Sequence, residues 1–260
     1  MDRRDVRAKK HLGQHFLKET AYCERIADAL QPIKNKRILE VGPGTGALTH
    51  FLLEGDLKVV EIDTESVAYL RSALPQLRSA IIEKDHLSLD LQTVFEGASF
   101  SLCGNFPYNI SSQIVFHALD HLECVDEICG MFQREMARRI AAPHGNKEYG
   151  ILSVLTQAFY HVTYLFDVPP TAFVPPPKVT SGVIHALKKK YEETEHIPRK
   201  ELKRVVKLAF NQRRKTLKNA LKTLQLDEQL LQMDIAGLRA EQLSVPAFIE
   251  LAQRLKDKEL

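Results

Sequence analysis

The chain has 260 residues, 44% of them hydrophobic and 27% charged, with a formal net charge of +3. This ordinary globular composition excludes a disordered or fibrous chain, and no apolar run approaches the roughly 20 residues of a membrane-spanning helix. The charged start, Met1-Asp2-Arg3-Arg4-Asp5, lacks the apolar stretch of a signal peptide. Cys23, Cys103, Cys124 and Cys129 form no CxxC pair, so reduced, mostly buried thiols in a cytosolic protein are expected, with no metal site.

Residues 1–18 read as a basic arm carrying six Lys/Arg and ending in His11-Leu12-Gly13-Gln14-His15-Phe16-Leu17. Thr20 is placed to cap a helix running to about Leu30, which Pro32 closes. Arg37–Val41 is a first strand that ends in Gly42-Pro43-Gly44-Thr45-Gly46. A helix with Leu48, Phe51 and Leu52 on one face is expected next. Leu57–Ile62 reads as a second strand, and Asp63 or Thr64 as the cap of a helix to about Ala73. Ala80–Glu83 is a third strand ending at Lys84-Asp85, and Ser99–Cys103 a fourth leading into Gly104-Asn105-Phe106-Pro107-Tyr108-Asn109. A helix is expected after it on a serine cap, at Ser111 or Ser112. Asp126–Phe132 is a fifth strand, followed by a helix over 133–141 and another over 149–158. Two late strands, His161–Val168 and Ser181–Leu187, bracket a proline-rich loop that contains Phe173.

Strands alternating with helices predict an α/β fold, an open and mostly parallel sheet covered on both faces, with the late strands adding an antiparallel edge. Composition changes after Leu187. Residues 188–197 read as a linker, and 198–260 as a small all-α domain with Leu202, Val206, Ala209, Leu217, Ala220, Leu221 and Leu224 at helical spacing. Residues 199–222 carry ten Lys/Arg against the single Glu201. Such a cluster is either a solvated face or a surface for a polyanion.

The glycine turn follows the first strand, where a doubly wound fold binds a nucleoside ligand. Glu61 ends the second strand, where a carboxylate accepts from ribose hydroxyls, and Asp85 ends the third, placed for an adenine amino group. The turn reads GxGxG and has no flanking base for a pyrophosphate, which favours S-adenosylmethionine over a dinucleotide. Methyl transfer from a sulfonium is an in-line displacement, so the difficulty lies in the nucleophile. An adenine exocyclic amine has its lone pair delocalised into the ring. Acceptors aimed at its protons draw that pair out of conjugation. The Asn105 side chain and the Phe106 carbonyl are suited to this, with Pro107 stiffening the turn and Tyr108 stacking on the base. Phe173 is a candidate second ring, closing over a flipped base.

At these residues the chain resembles the small-subunit ribosomal RNA adenine dimethyltransferase family. The resemblance rests on Lys9–Leu17, Ile38–Thr49, Val60-Glu61-Ile62-Asp63, Lys84-Asp85, Gly104–Ser111, Phe132–Glu135, Tyr149-Gly150, the Phe173–Ser181 loop and Phe210–Leu217. Phe106 stands where the family more often has Leu. The resemblance implies a Rossmann-like class I methyltransferase with a seven-stranded sheet, spanning 1–187, in which the arm is a cofactor lid. It implies a cofactor set of His15, Leu17, Gly42, Gly44, Glu61, Ile62, Asp85, His86 and Asn105 and a catalytic set of Asn105, Phe106, Pro107, Tyr108 and Phe173. It further implies dimethylation of two adjacent adenosines near the 3′ end of small-subunit rRNA, by a monomer acting late in subunit assembly. Arg204, Lys207, Arg213, Arg214, Lys215, Lys218 and Lys222 are the expected RNA contacts. Relatives that modify one adenine of large-subunit rRNA share the first two-thirds of these motifs. An RNA-binding assembly factor whose methylation is secondary is a reading of a different class.

Overall fold

Short, largely apolar runs become the strands of one sheet. The computed structural model describes residues 6–224 and 234–258; Arg3 and Arg4 of the basic arm lie outside them. The chain divides into two compact units, 1–137 with 163–187, and 138–162 with 188–260.

The strands are β1 (Phe16–Leu17), β2 (Arg37–Val41), β3 (Asp56–Glu61), β4 (Ile81–Glu83), β5 (Phe100–Asn105), β6 (Val125–Gln133), β7 (Tyr160–Val168), β8 (Phe173–Val174) and β9 (Ser181–Lys188). Seven of them form a sheet in the order β4-β3-β2-β5-β6-β9-β7. The pairs β2–β3, β2–β5, β3–β4 and β5–β6 are parallel, and β6–β9 is antiparallel. This is the expected mostly parallel sheet, with the two late strands side by side at one edge. Parallel strands covered on both faces must be apolar nearly throughout, which is why Ile38–Val41 and Phe100–Gly104 are buried without alternation. The strand order reverses between β2 and β5, so the connections that follow them leave on opposite faces of the sheet and a crevice opens at their carboxyl ends. β1 and β8 form a separate antiparallel ladder, pairing Phe16 with Val174 and Leu17 with Phe173.

Helices α1 (Thr20–Ala29), α2 (Thr64–Ala73), α3 (Leu91–Val94), α4 (Ser111–Asp120) and α5 (Arg134–Ala141) connect the strands. Cys23, Ile26 and Leu30 from α1 and its end join Ile38, Leu48, Leu52, Val59 and Leu70 in one core. All four cysteines are buried free thiols.

Several expectations need correction. Glu19, not Thr20, stands at the N-cap of α1. The helix expected after the glycine turn is only a 3₁₀ turn, Thr49–Phe51, because the chain must be back in the sheet by Asp56. Ile110 occupies the cap position of α4; Ser111 instead donates its hydroxyl to the Tyr108 carbonyl, at 3.2 Å.

In the second unit, α6 (Ile151–Phe159), α8 (Arg199–Asn211) and α10 (Val245–Lys258) pack on one another, with the short α7 (Tyr191–Thr194) and α9 (Leu217–Ala220) between. The expected boundary after Leu187 coincides with the point where this unit resumes. Residues 138–162, expected with the catalytic domain, also belong to it, because α6 packs on α8 and α10 rather than standing as a connection. The stretch 188–197 is partly helical through α7. The basic run 199–222 is two helices with a break at 212–216, where Leu217 donates its N–H to Leu238 and Thr216 bridges Arg239. No helix among the described residues is long and apolar enough to cross a membrane.

β5 and β6 approach each other through paired glycines, Gly104 opposite Gly130. A Cβ on Gly130 would lie 2.4 Å from the Gly104 carbonyl oxygen and 2.5 Å from the Phe106 ring. The ring of Phe106, 1% exposed, fills that space and tilts against Phe132 at 4.8 Å between centroids. Gly130→Ala is therefore expected to destabilise the protein by about 3 kcal/mol, the upper end of overpacking costs. Because one clash is with backbone, Phe106→Leu in the same chain should restore only part of the loss. Urea-unfolding midpoints of the single and double variants check both points.

Candidate active site

The crevice between β2 and β5 opens into a cleft of about 750 Å³, counted to its open mouth. The glycine turn forms one wall. Gly42, Gly44 and Gly46 all have positive φ, at 67°, 55° and 79°, which a side chain would strain. Gly44 also passes directly under the lid: a Cβ there would lie 2.8 Å from the Phe16 ring. Asn105, Phe106, Pro107 and Tyr108 form the opposite wall, and Gln14, His15, Phe16 and Leu17 the roof.

Glu61, at the end of β3, is 5% exposed. Its Oε2 accepts from the Gly44 N–H at 3.1 Å, and its Oε1 from the N–H groups of Ile62 and Asp63, both at 2.9 Å. Burial raises its pKa, and the hydrogen bonds from Asp63 and Gly44 oppose that shift. Ile62 beside it is 51% exposed and lines the cleft, an apolar surface suited to a nucleoside base.

Asn105 is partly buried at the end of β5, and its Nδ2 donates to the backbone carbonyl of His15 at 2.8 Å. Tyr108 shares a hydrogen bond of 2.5 Å with Ser181 Oγ, and burial raises its pKa. The rings of His15 and Tyr108 lie 5.5 Å apart, and His15 Nδ1 donates to the Pro175 carbonyl at 2.8 Å. The lid is tied down at its other end by an ion pair between Lys9 and Asp63 and by Gln14 Nε2 donating to Asp63 at 3.0 Å.

The expected residues thus fall into two groups. His15, Leu17, Gly42, Gly44, Glu61, Ile62, Asn105, Phe106, Pro107 and Tyr108 all line the cleft. Asp85, His86 and Phe173 do not. After Glu83 the exposed Asp85 accepts the Leu87 N–H at 3.0 Å as the cap of a 3₁₀ turn. His86 is buried against His117 instead, with ring nitrogens 3.4 Å apart. Burial and the neighbouring His117 and His121 push its pKa down to about 3, so it is neutral. Phe173, 1% exposed, packs in the core with Leu17 and Ile26, because pairing with β1 turns its ring inward.

Glu40 was not singled out by sequence reasoning, although an acid in the apolar run Ile38-Leu39-Glu40-Val41 is a detectable signal. It is 1% exposed under the glycine turn, lines the cleft, and accepts from Thr49 Oγ1 at 2.7 Å. Burial pushes its pKa up to about 8, partly offset by the Thr49 bond, with Glu61 nearby adding to the rise. Ser181, fully buried behind Tyr108, was quoted in a motif but given no role.

An open parallel sheet with a glycine turn after its central strand, a ribose-type carboxylate on the next strand and an Asn-Phe-Pro-Tyr strand end facing both defines a class I methyltransferase. Comparison with known proteins narrows this. Residues 6–257 match the model of the family described as ribosomal RNA adenine dimethylase, and the chain belongs to that family. It is 50% identical over 255 residues to Ribosomal RNA small subunit methyltransferase A of Flavobacterium johnsoniae, covering 96% of this chain and 97% of that protein. The Bacteroides fragilis protein of the same name is also 50% identical, over 254 residues, covering 96% and 93%. Among solved structures, a dimethyladenosine transferase from Plasmodium falciparum superposes with a TM-score of 0.81 at 24% identity, covering 95% of this chain and 99% of that one. The 23S rRNA methyltransferase ErmE superposes at 0.65 with 22% identity, covering 93% and 99%. The protein is an rRNA adenine dimethyltransferase, and its cofactor is S-adenosylmethionine.

Because Glu40 binds its proton more tightly folded than unfolded, the folded state gains nothing from its ionisation. The resulting stability is complete below about pH 4.5 and is lost as pH rises to about 8. Glu40→Gln mimics the neutral acid and removes this dependence. The variant is expected to melt close to the wild type at pH 5 and clearly above it at pH 8.5, with the gap widening by roughly 1 kcal/mol per pH unit between. Thermal melts across that range check it.

Proposed function

We propose that this enzyme converts two adjacent adenosines near the 3′ end of small-subunit rRNA to N6,N6-dimethyladenosine, late in assembly of the subunit. The observation that carries the reading is the shared cleft of Asn105, Phe106, Pro107 and Tyr108 with the glycine turn and Glu61. The curated relatives named as small-subunit methyltransferases support the choice of subunit.

The residues present suit the cofactor. The glycine turn makes room where a Cβ would collide, Glu61 offers acceptor oxygens, and Ile62 an apolar face. S-adenosylmethionine supplies an electrophilic methyl group on a sulfonium. The protein's own part is to prepare the amine. Asn105 Oδ1 and the Phe106 carbonyl accept its two N–H bonds, pull the lone pair out of the ring system and aim it along the line of displacement. Tyr108 stacks on the base, its ring held by Ser181. After one methyl transfer one N–H remains, and a single acceptor suffices to orient the amine again.

In the second unit, Arg204, Lys207, Arg214, Lys215, Lys218 and Lys222 are exposed and supply phosphate contacts to the RNA. Arg213 has a different role. Its Nε donates to Glu241 at 3.0 Å and its Nη2 to the Lys147 carbonyl at 2.5 Å, which ties two loops of this unit together.

The purified enzyme is expected to transfer labelled methyl groups to immature small subunits, with dimethyladenosine as the final product of digestion. Label confined to large-subunit rRNA would assign the chain to the other specificity. Asn105→Ala should lower kcat by about 10²- to 10³-fold, as for loss of one preorganised polar group in a reacting centre. Arg214→Ala and Lys215→Ala should each weaken subunit binding and reduce its salt dependence by about one unit of slope. Arg213→Ala should instead lower the melting temperature.

A further inference from the structure

We infer that the backbone carbonyl of His15 is the positioning group for Asn105, so that closing the lid and orienting the amine acceptor are one event. This rests on the reading of Asn105 as an acceptor for the adenine amine.

A primary amide at the end of β5 can face the cleft in two ways. Half a turn about Cβ–Cγ exchanges Oδ1 and Nδ2, and the two orientations have the same shape. Only one of them serves the reaction. The His15 carbonyl decides between them, because an oxygen with lone pairs and no proton can only accept. It accepts from Nδ2 at 2.8 Å, which leaves Oδ1 for the incoming N–H. The reverse orientation would bring two oxygens together. Without the lid nothing described in the structure makes that choice.

The position of the His15 carbonyl is itself set from both sides. On one side, Phe16 and Leu17 pair with Val174 and Phe173, Lys18 N–H donates to the Ala172 carbonyl at 2.9 Å, and the His15 ring reaches Pro175. On the other, Lys9 and Gln14 hold Asp63, whose own N–H donates to Glu61. The latch is therefore two residues from the carboxylate offered to the cofactor's ribose. Asn109 makes the same kind of contact, its Nδ2 donating to the His11 carbonyl at 3.4 Å. Both asparagines of the Asn-Phe-Pro-Tyr-Asn segment thus act as donors to the lid. This explains why amides stand there: a carboxylate would accept from an amine but could not hold the lid.

Asn105→Asp separates the two roles. It keeps the size and the acceptor oxygens of Asn105 and removes the donor. Hydrogen exchange of the cofactor-free protein should show amides of residues 9–17 exchanging at least tenfold faster than in the wild type, and transfer should fall more than 100-fold. Unchanged exchange in 9–17 would overturn the proposal. Gln14→Ala, which touches neither Asn105 nor the reacting amine, tests the coupling from the far end. It should speed exchange in 9–17 and lower kcat several-fold as well as raise KM for the cofactor. Faster exchange with kcat unaltered would show that the lid moves without affecting the amide, and would also overturn it. Full transfer by Asn105→Ala would defeat the acceptor reading alone; the exchange data would still report on the contact with the lid.

Discussion

The Glu61 carboxylate takes hydrogen bonds from three backbone N–H groups, and the geometry of the cleft follows from where those groups come from. Gly44 belongs to the turn after β2, and Ile62 and Asp63 to the exit from β3. One buried acid therefore locks the ends of two neighbouring strands. Asp63, fixed this way, caps α2 and carries the ion pair to Lys9 and the hydrogen bond to Gln14. Burial raises the pKa of Glu61, and the backbone donors that oppose this shift are the same ones that shape the turn.

The second constraint lies between β5 and β6. Gly104 and Gly130 let the Phe106 ring sit where side chains would otherwise stand. Asn105 and Tyr108 flank that anchored residue, which gives the turn that carries them into the cleft a rigid base in the core. Tyr108 gains further support from Ser181 on β9, so the antiparallel edge added to the parallel sheet also contributes to the site.

Much of this was legible in the chain. The glycine turn, Glu61 and the Asn-Phe-Pro-Tyr segment could be read because each sits at the end of an apolar run, and the carboxyl ends of parallel strands lie along the same edge of the sheet. Their joint presence in one cleft follows from topology. Asp85 and His86 also follow a strand, and what the pattern did not reveal there is local: Asp85 caps a 3₁₀ turn and His86 is buried against His117. The burial of Phe173 was not legible, because a ring in a proline-rich loop has no periodicity to reveal its direction, and its pairing partner lies more than 150 residues away in the sequence.

The sequence by itself determined the alternation of strands and helices that makes an open, mostly parallel sheet, the glycine turn and acids at strand ends, the polar end of the fourth strand and the basic character of the C-terminal helices. These are properties of local pattern, set by spacing and residue type. Only the tertiary structure decided which groups oppose one another: the arm folding back to pair with β8, the His15 carbonyl meeting the Asn105 amide, Glu40 losing its charge under the glycine turn, Arg213 turning to Glu241 and Lys147, and residues 138–162 joining the C-terminal helices. Each of these depends on contacts between segments distant in the chain. Burial and hydrogen-bond partnership are properties of such contacts, and no single stretch of residues carries them.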